Sequence, residues 1–266
     1  MVRRLIAEHE LEAVTIDGTG TAGRVTREDV LRVLETAPQH EVVPLNRTQR
    51  LTGEHMLRSL HVAPHAFIAV EVDFESVERV RRTAGLTYLP FVARAVIDAV
   101  AQYPHLNATV GDGELVVHHA VHLGLAVDLD HRGLIVPVVH DADSKRLGAL
   151  AGEMADLAAR ARAKRLAPDD VAGGTFTITN PGPSGTAISV PIIHQPQVAI
   201  LSTDGVRRRP VVVETDDGTE AIAVHAVGML GLSFDHRAFD GAYAAAFLAR
   251  VREVVETRPW EIELDG

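Results

Sequence analysis

Ser233-Phe-Asp-His236-Arg-Ala-Phe-Asp240-Gly241 follows the apolar run Met229 to Ser233 and leads into Ala242, Ala244, Ala245 and Ala246. The apolar run predicts a strand and the small residues predict a helix, so the segment between them is a turn. Backbone on both sides holds an imidazole placed on such a turn. Histidine titrates near neutrality, so a neutral, partly buried one suits removal of a proton from a thiol. Asp240, four residues on, is placed to anchor the turn by pairing with an arginine. The three-letter core alone says little, because Asp130-His131-Arg132 repeats it ahead of Gly133-Leu-Ile-Val-Pro-Val-Val, a plain strand. Only the second copy adds Asp-Gly and a helix of small residues.

Working outward, alternating or apolar runs predict strands at Ala66–Asp73, Glu114–Val117, Val121–Val127, Leu134–Val139, Thr175–Thr179 and Ala187–Ile193, then at Val198–Ser202, Val211–Val213, Ala221–Val224 and Met229–Ser233. A helix ends over His55–Leu60, and Pro90–Gln102 is apolar on most faces, as in a buried helix. Lys145–Arg165 carries an inner stripe of Leu147, Leu150, Met154, Leu157 and Ala161, and a last helix runs from about Ala242 to Val255. Without a regular βαβ repeat, the expected class is α/β, a mixed sandwich and not a doubly wound sheet or a barrel.

The first 36 residues differ. Val2–His9 reads as a short helix, and Thr26-Arg-Glu-Asp29 as a capping box opening a second helix to about Leu34. Ala37 to Val43 reads as a linker, which sets expected domains at residues 1–36 and 44–266. Between the two helices, Gly18-x-Gly20-x-x-Gly23 matches the dinucleotide-binding string, yet no strand precedes it and the helices are too short for a βαβ unit.

Composition narrows the function. A net charge of −10 argues against nonspecific binding to nucleic acid or to anionic membranes. The chain has no cysteine, so any thiol it handles belongs to a substrate or cofactor. The N-terminus is too charged for a signal peptide and no apolar run reaches membrane-spanning length, so a soluble intracellular protein is expected. His118, His119 and His122 offer two imidazoles on one strand face without an evident third ligand, so no metal is expected.

The His236 segment resembles the His-x-x-x-Asp-Gly motif of the chloramphenicol acetyltransferase-like superfamily. In its longer form, Asp-His-Arg-x-x-Asp-Gly-Ala, it resembles the catalytic domain of dihydrolipoamide acyltransferases. Further matching segments are Ala63-Pro64-His65, Gly133-Leu-Ile-Val-Pro137-Val, Gly173-Gly174-Thr175-Phe-Thr-Ile-Thr179-Asn180-Pro-Gly182, and Pro191-Ile-Ile-His-Gln-Pro196-Gln-Val-Ala-Ile200-Leu. They run in order from about Val43 to the C-terminus. The resemblance implies a chloramphenicol acetyltransferase-like mixed sheet sandwich with a small all-α N-terminal domain. It implies acyl transfer between dihydrolipoamide and coenzyme A, at the core of a 2-oxo acid dehydrogenase complex. His236 would then be the general base and Thr179 the hydroxyl donor to the oxyanion. Asp240 would fix the loop, its counterpart in relatives pairing with an arginine of the first helix, here Arg47 or Arg50. A small-molecule acetyltransferase and a non-catalytic scaffold on the same fold remain the alternatives.

Residues 2–35 resemble the peripheral subunit-binding domain of the same acyltransferases, which grips the decarboxylase or lipoamide dehydrogenase component. Arg3 and Arg24 fall at basic contact positions, Arg4 lies beside them, and a third position holds Ala7. The family carries a lipoyl domain with a lysine in an exposed hairpin. The only lysines here, Lys145 and Lys164, do not sit in one, so a lipoyl group would come from a lipoyl domain outside this chain, which is expected to be a shortened form of a longer protein. The resemblance also implies a homotrimer with sites between subunits, working in the cytoplasm, or in the mitochondrial matrix of a eukaryote. Trimers of the family join into cubic or icosahedral shells through an apolar tail. Here acids interrupt the tail Trp260-Glu-Ile262-Glu-Leu264, and core size stays open. So does the acyl group, although threonine at position 179 is common in the succinyl-transferring branch.

Overall fold

The computed structural model describes residues 1–9, 16–36, 42–130 and 132–264. They form two compact units, Met1–Leu45 and Asn46–Gly266. Most of the expected linker, residues 37–41, lies outside the described residues, as does His131.

In the small unit α1 spans Val2–Glu8 and α2 spans Arg27–Thr36. Asp29 organises it. The Thr26 hydroxyl accepts from the Asp29 N–H at 3.3 Å, and the carboxylate accepts from the Thr26 N–H and hydroxyl at 2.9 and 2.8 Å, closing the expected capping box. The same carboxylate takes the Thr19 N–H at 2.9 Å and the Thr19 hydroxyl at 2.7 Å, tying the glycine loop to α2. These bonds, that from the Thr19 backbone first, hold the Asp29 carboxyl well below the usual carboxylate range. Close backbone approach explains the glycines: a Cβ on Gly18 would lie 2.4 Å from the Gly23 oxygen, and one on Gly20 2.6 Å from the Arg24 oxygen. No phosphate is needed to account for them.

The larger unit opens with α3 (Arg47–Val62), capped by a reciprocal pair in which Asn46 and Gln49 each accept the other's backbone N–H at 2.9 Å. There follow β1 (His65–Asp73), α4 (Glu75–Ala84), α5 (Leu89–Gln102), β2 (Ala108–Val110), β3 (Leu115–Val117), β4 (Leu123–Asp128), β5 (Leu134–Ile135) and β6 (Val138–Val139). After them come α6 (Leu147–Arg162), β7 (Phe176–Thr179), β8 (Ala199–Thr203), β9 (Arg207–Glu214), β10 (Glu220–Asp235), α7 (Gly241–Thr257) and α8 (Trp260–Leu264). The main sheet has the order β1-β10-β8-β7-β4-β5, with β6 on β4 and β9 on β10. Its left half, β1, β10 and β8, is antiparallel, and β7 runs parallel to both β8 and β4, so the sheet is mixed as expected.

Alternation along the strands sorts the side chains into two faces. Leu230, Leu232 and Phe234 of β10, Ala199 and Leu201 of β8, Phe176 and Ile178 of β7, and Leu123 and Leu125 of β4 enter one core. Phe247, Leu248 and Val251 of α7 cover it, with Phe91, Val92 and Val96 of α5. Thr177, Thr179, Ser202, Ser233 and Asp235 fall on the other face, against α3 and the segment from Asn180 to Val198.

Three expectations change. Ala221–Val224 and Met229–Ser233 are one 16-residue strand, whose first half pairs with β9 and whose second half lies between β1 and β8. Ala187–Ile193 is not a strand. Side chains take its backbone groups: Ser189 N–H donates to Asp204 at 3.1 Å, Ile193 N–H to His65 Nε2 at 3.0 Å, and the Ser59 hydroxyl to the Ile193 oxygen at 2.7 Å. Leu134–Val139 splits around Pro137, which has no N–H to give a ladder and only accepts, from Leu125 N–H at 2.8 Å.

Candidate active site

β10 ends at Asp235, and His236 is the first residue of the turn. Asp235 is completely buried, and Arg237 grips it with Nε 3.0 Å from Oδ1 and Nη2 2.6 Å from Oδ2. The backbone closes round the same point. Asp235 N–H donates to Val198 O at 2.8 Å, His236 N–H to Pro64 O at 3.0 Å, and Ala238 N–H to Asp235 O at 2.9 Å. The residues on either side of His236 thus pin each other, while its own ring is exposed, 5.7 Å from the Phe234 ring.

Asp240 serves the turn differently from the expectation. Its carboxylate N-caps α7, accepting from Tyr243 N–H at 2.9 Å, and among the described residues no ion pair joins it to Arg47. An N-cap carboxylate offsets the positive end of the helix. The arginine–carboxylate clamp exists, but it is Arg237 on Asp235.

Thr179 is the last residue of β7, half-buried on the polar face. Beside it a cavity of about 320 Å³ opens between Asn180, Gly182, Thr203, Asp204, Phe74 and Tyr88. Asp204, nearly buried, holds the loop that follows Thr179, taking the hydroxyls of Thr186 and Ser189 at 2.8 and 2.7 Å. Sequence reasoning passed over Asp235 and Asp204. Their signal, an acid at the end of an apolar strand, is common.

The sheet register keeps His236 and Thr179 apart in one chain. Thr179 is level with Ser202, and Ser202 with Gly231, five residues before His236. At about 3.3 Å per residue that is roughly 16 Å along the strand, and two strand spacings add roughly 10 Å across it. The two groups therefore lie on the order of 19 Å apart.

Another pair of histidines lies under α3. The rings of His55 and His194 stack with centroids 4.7 Å apart and line a cavity of about 290 Å³ with Leu51, Met56, Ile135 and Val171. Burial, then the neighbouring His55, pushes His194 down to about 4, and burial followed by the charge of Arg58 lowers His55. Both imidazoles are neutral at pH 7. His65 has a defined tautomer, since Nε2 accepts from Ile193 N–H and Nδ1 therefore donates to Ala63 O at 2.8 Å.

The remaining candidates are dispersed. Arg3, Arg4 and Arg24 are exposed on the small unit, with Arg4 on Glu8 at 2.8 Å. His118 Nε2 lies 3.0 Å from the Thr109 hydroxyl, and His122 Nδ1 accepts from Asp141 N–H at 3.0 Å. Among the described residues no three His, Asp or Glu side chains gather to hold a metal, and no helix is long and apolar enough to cross a membrane.

Known proteins resemble this chain in sequence and fold. The family model for 2-oxoacid dehydrogenases acyltransferase (catalytic domain) matches residues 37–264, and that for an e3 binding domain matches residues 1–31. The dihydrolipoyllysine-residue acetyltransferase component of the pyruvate dehydrogenase complex of Corynebacterium glutamicum is 34% identical over 99% of this chain, which spans 44% of that protein's length. The dihydrolipoyllysine-residue succinyltransferase component of the 2-oxoglutarate dehydrogenase complex of Escherichia coli is 32% identical over 99% of this chain and 71% of its own. A solved structure of dihydrolipoamide acetyltransferase from Azotobacter vinelandii superposes with a TM-score of 0.77 at 32% identity, covering 85% of this chain and 94% of that one. In that enzyme a serine, a histidine and, four residues beyond it, an asparagine have been investigated for their role in the catalytic mechanism.

Proposed function

Because the chain belongs to the 2-oxoacid dehydrogenase acyltransferase family, we propose that it moves acyl groups between dihydrolipoamide and coenzyme A, at the core of a 2-oxo acid dehydrogenase complex. His236 is the general base and Thr179 the oxyanion donor. Asp240, in place of the asparagine of the Azotobacter enzyme, caps the helix behind the base. One observation carries this reading: the base is exposed on a turn pinned from both sides, and its hydroxyl partner is on the order of 19 Å away in the same chain. A reaction that uses both groups needs a second copy, whose Thr179 faces the first copy's His236.

At such an interface, His236 takes the proton from the coenzyme A thiol. The thiolate attacks the carbonyl carbon of the acyl-dihydrolipoamide thioester, and the Thr179 hydroxyl donates to the oxyanion. Collapse breaks the old carbon–sulfur bond, the proton returns from His236 to the dihydrolipoamide sulfur, and acyl-CoA leaves. The lipoyl group arrives on a separate lipoyl domain. The small unit recruits the lipoamide dehydrogenase or decarboxylase component through Arg3, Arg4 and Arg24, the whole assembly working in the cytoplasm.

Reassembly of a homotrimer from a mixture of His236→Ala and Thr179→Val chains tests the reading. Each parent is nearly inactive, but every mixed ring contains one interface with both groups intact, so activity returns. If mass analysis finds mixed trimers and activity stays at the parental level, the intersubunit site is wrong.

A further inference from the structure

Four cations meet where β4 turns into β5. Arg47 comes from the start of α3, Arg132 from the turn itself, and Arg162 and Lys164 from the end of α6, and with Leu129 and Asp130 they line a cleft of about 630 Å³. Several cations nearby and elsewhere in the larger unit are neutralised. Arg160, two residues before Arg162, is held by Asp156 and Asp170, Arg258 by Glu263, and Arg237 by Asp235. Among the described residues, none of the four cleft cations forms an ion pair, in a chain whose net charge is −10. Like charges converging on a concavity repel, and an anion in the cleft relieves that repulsion while the walls focus the field.

The backbone supplies a second sign. Among the described residues four non-glycine residues have positive φ, and two of them, Asp130 at 53° and Lys164 at 56°, line this cleft. A left-handed conformation without glycine is costly and concentrates where a site must be shaped. The position fits a ligand site as well. Ala126 of β4 is level with Thr179, and Leu129 lies three residues on, roughly 10 Å further along the strand.

We propose that this cleft binds a phosphorylated ligand, with a pyrophosphate or paired phosphate esters held between the guanidinium groups. Planar guanidinium forks match phosphoryl oxygens two at a time, and the Lys164 ammonium adds a point charge. Two sources offer that chemistry: the phosphates of coenzyme A, which rests on the function proposed above, and a separate nucleotide-like ligand, which does not.

Calorimetric titration of the full chain with inorganic pyrophosphate and with adenosine 3′,5′-bisphosphate tests it. Binding should weaken with salt. It should fall about tenfold or more, a change of about 1.4 kcal/mol or greater, in an Arg132→Gln/Arg162→Gln chain. An Arg132→Lys/Arg162→Lys chain should keep most of it, and Arg79→Gln, an exposed cation elsewhere, all of it. No pyrophosphate binding by the native chain, or equal binding by the Gln/Gln chain, overturns the proposal. So does capture of a polyglutamate peptide without pyrophosphate, which would make the cleft a dock for an acidic protein. The KM for coenzyme A then separates the sources. A raised KM at unchanged kcat in the Gln/Gln chain assigns the cleft to the coenzyme's own phosphates, and an unchanged KM beside lost pyrophosphate binding assigns it to a separate ligand. The titrations need no turnover, so they stand or fall apart from the acyl transfer reading.

Discussion

Asp-His-Arg occurs at residues 235–237 and at residues 130–132, and the two copies share little beyond their letters. In the first, the aspartate closes a 16-residue strand inside the sheet, is wholly buried, and is gripped by its arginine. In the second, Asp130 is exposed with φ 53° beside the two-residue edge strand β5, and Arg132 points no charge at any described carboxylate and lines a cationic cleft. Burial makes the difference. A carboxylate removed from water must be paired, so it fixes its neighbours, whereas an exposed one is solvated and fixes nothing.

The largest expected effect separates the copies outright. His236→Ala lowers turnover by about 10²–10⁴-fold with assembly intact, and His131→Ala leaves turnover unchanged, both read by acyl transfer with free substrates. Comparable losses in the two variants would make the two copies equivalent.

Next comes the partner of the first copy. Thr179→Val keeps the shape and removes the donor, at a cost of about 2.7–4 kcal/mol in transition-state stabilisation, and Thr179→Ser loses far less. Equal losses would make packing the reason for a threonine.

A smaller effect tests the clamp. Asp235→Ala leaves the Arg237 donors without their acceptor and costs about 1–3 kcal/mol of stability in urea unfolding, with turnover falling as the turn loosens. Asp130→Ala stays within about 0.5 kcal/mol. Matching unfolding midpoints for the two variants would show that Asp235 anchors nothing.

The smallest effect extends the contrast from the two copies to the two units. His194 is held neutral, with its pKa down to about 4, while the unfolded chain takes up that proton near the ordinary histidine value of about 6.5. Its contribution to the larger unit is thus complete above about pH 6.5 and declines as pH falls toward 4. Asp29 has a depressed carboxyl, so its contribution to the small unit persists down to the ordinary carboxylate value of about 4 and is lost only below it. Unfolding followed separately for each unit from pH 7 to 4.5 should weaken the larger one first, and His194→Gln should flatten its slope. An unchanged slope in that variant would remove His194 from the account.

Much of this was legible in the sequence because it depends on near neighbours. Thr26 and Asp29 are three residues apart, the stripe on α6 repeats every three or four, and the strand before His236 alternates, so each element could be read in a short window. The helix α4 and the strand β2 were not, since Glu75–Ala84 is rich in charge and Ala108–Val110 is three residues long. The segment Ala187–Ile193 looked like a strand because alternation cannot reveal that Asp204, His65 and Ser59 claim its backbone from elsewhere in the chain.

By itself, then, the sequence determined two dissimilar units, a mixed α/β class, and a histidine turn between a strand and a helix. Caps, periodicity and glycine spacing act over a few residues and carry their meaning with them. Only the tertiary structure decided that Asp235 and not Asp240 meets an arginine, that His236 and Thr179 stand apart in one chain, and that four cations from three distant segments share one cleft. The first rests on the burial of Asp235, which a pattern two residues long does not reveal, and the others on register and packing between residues tens to more than a hundred positions apart.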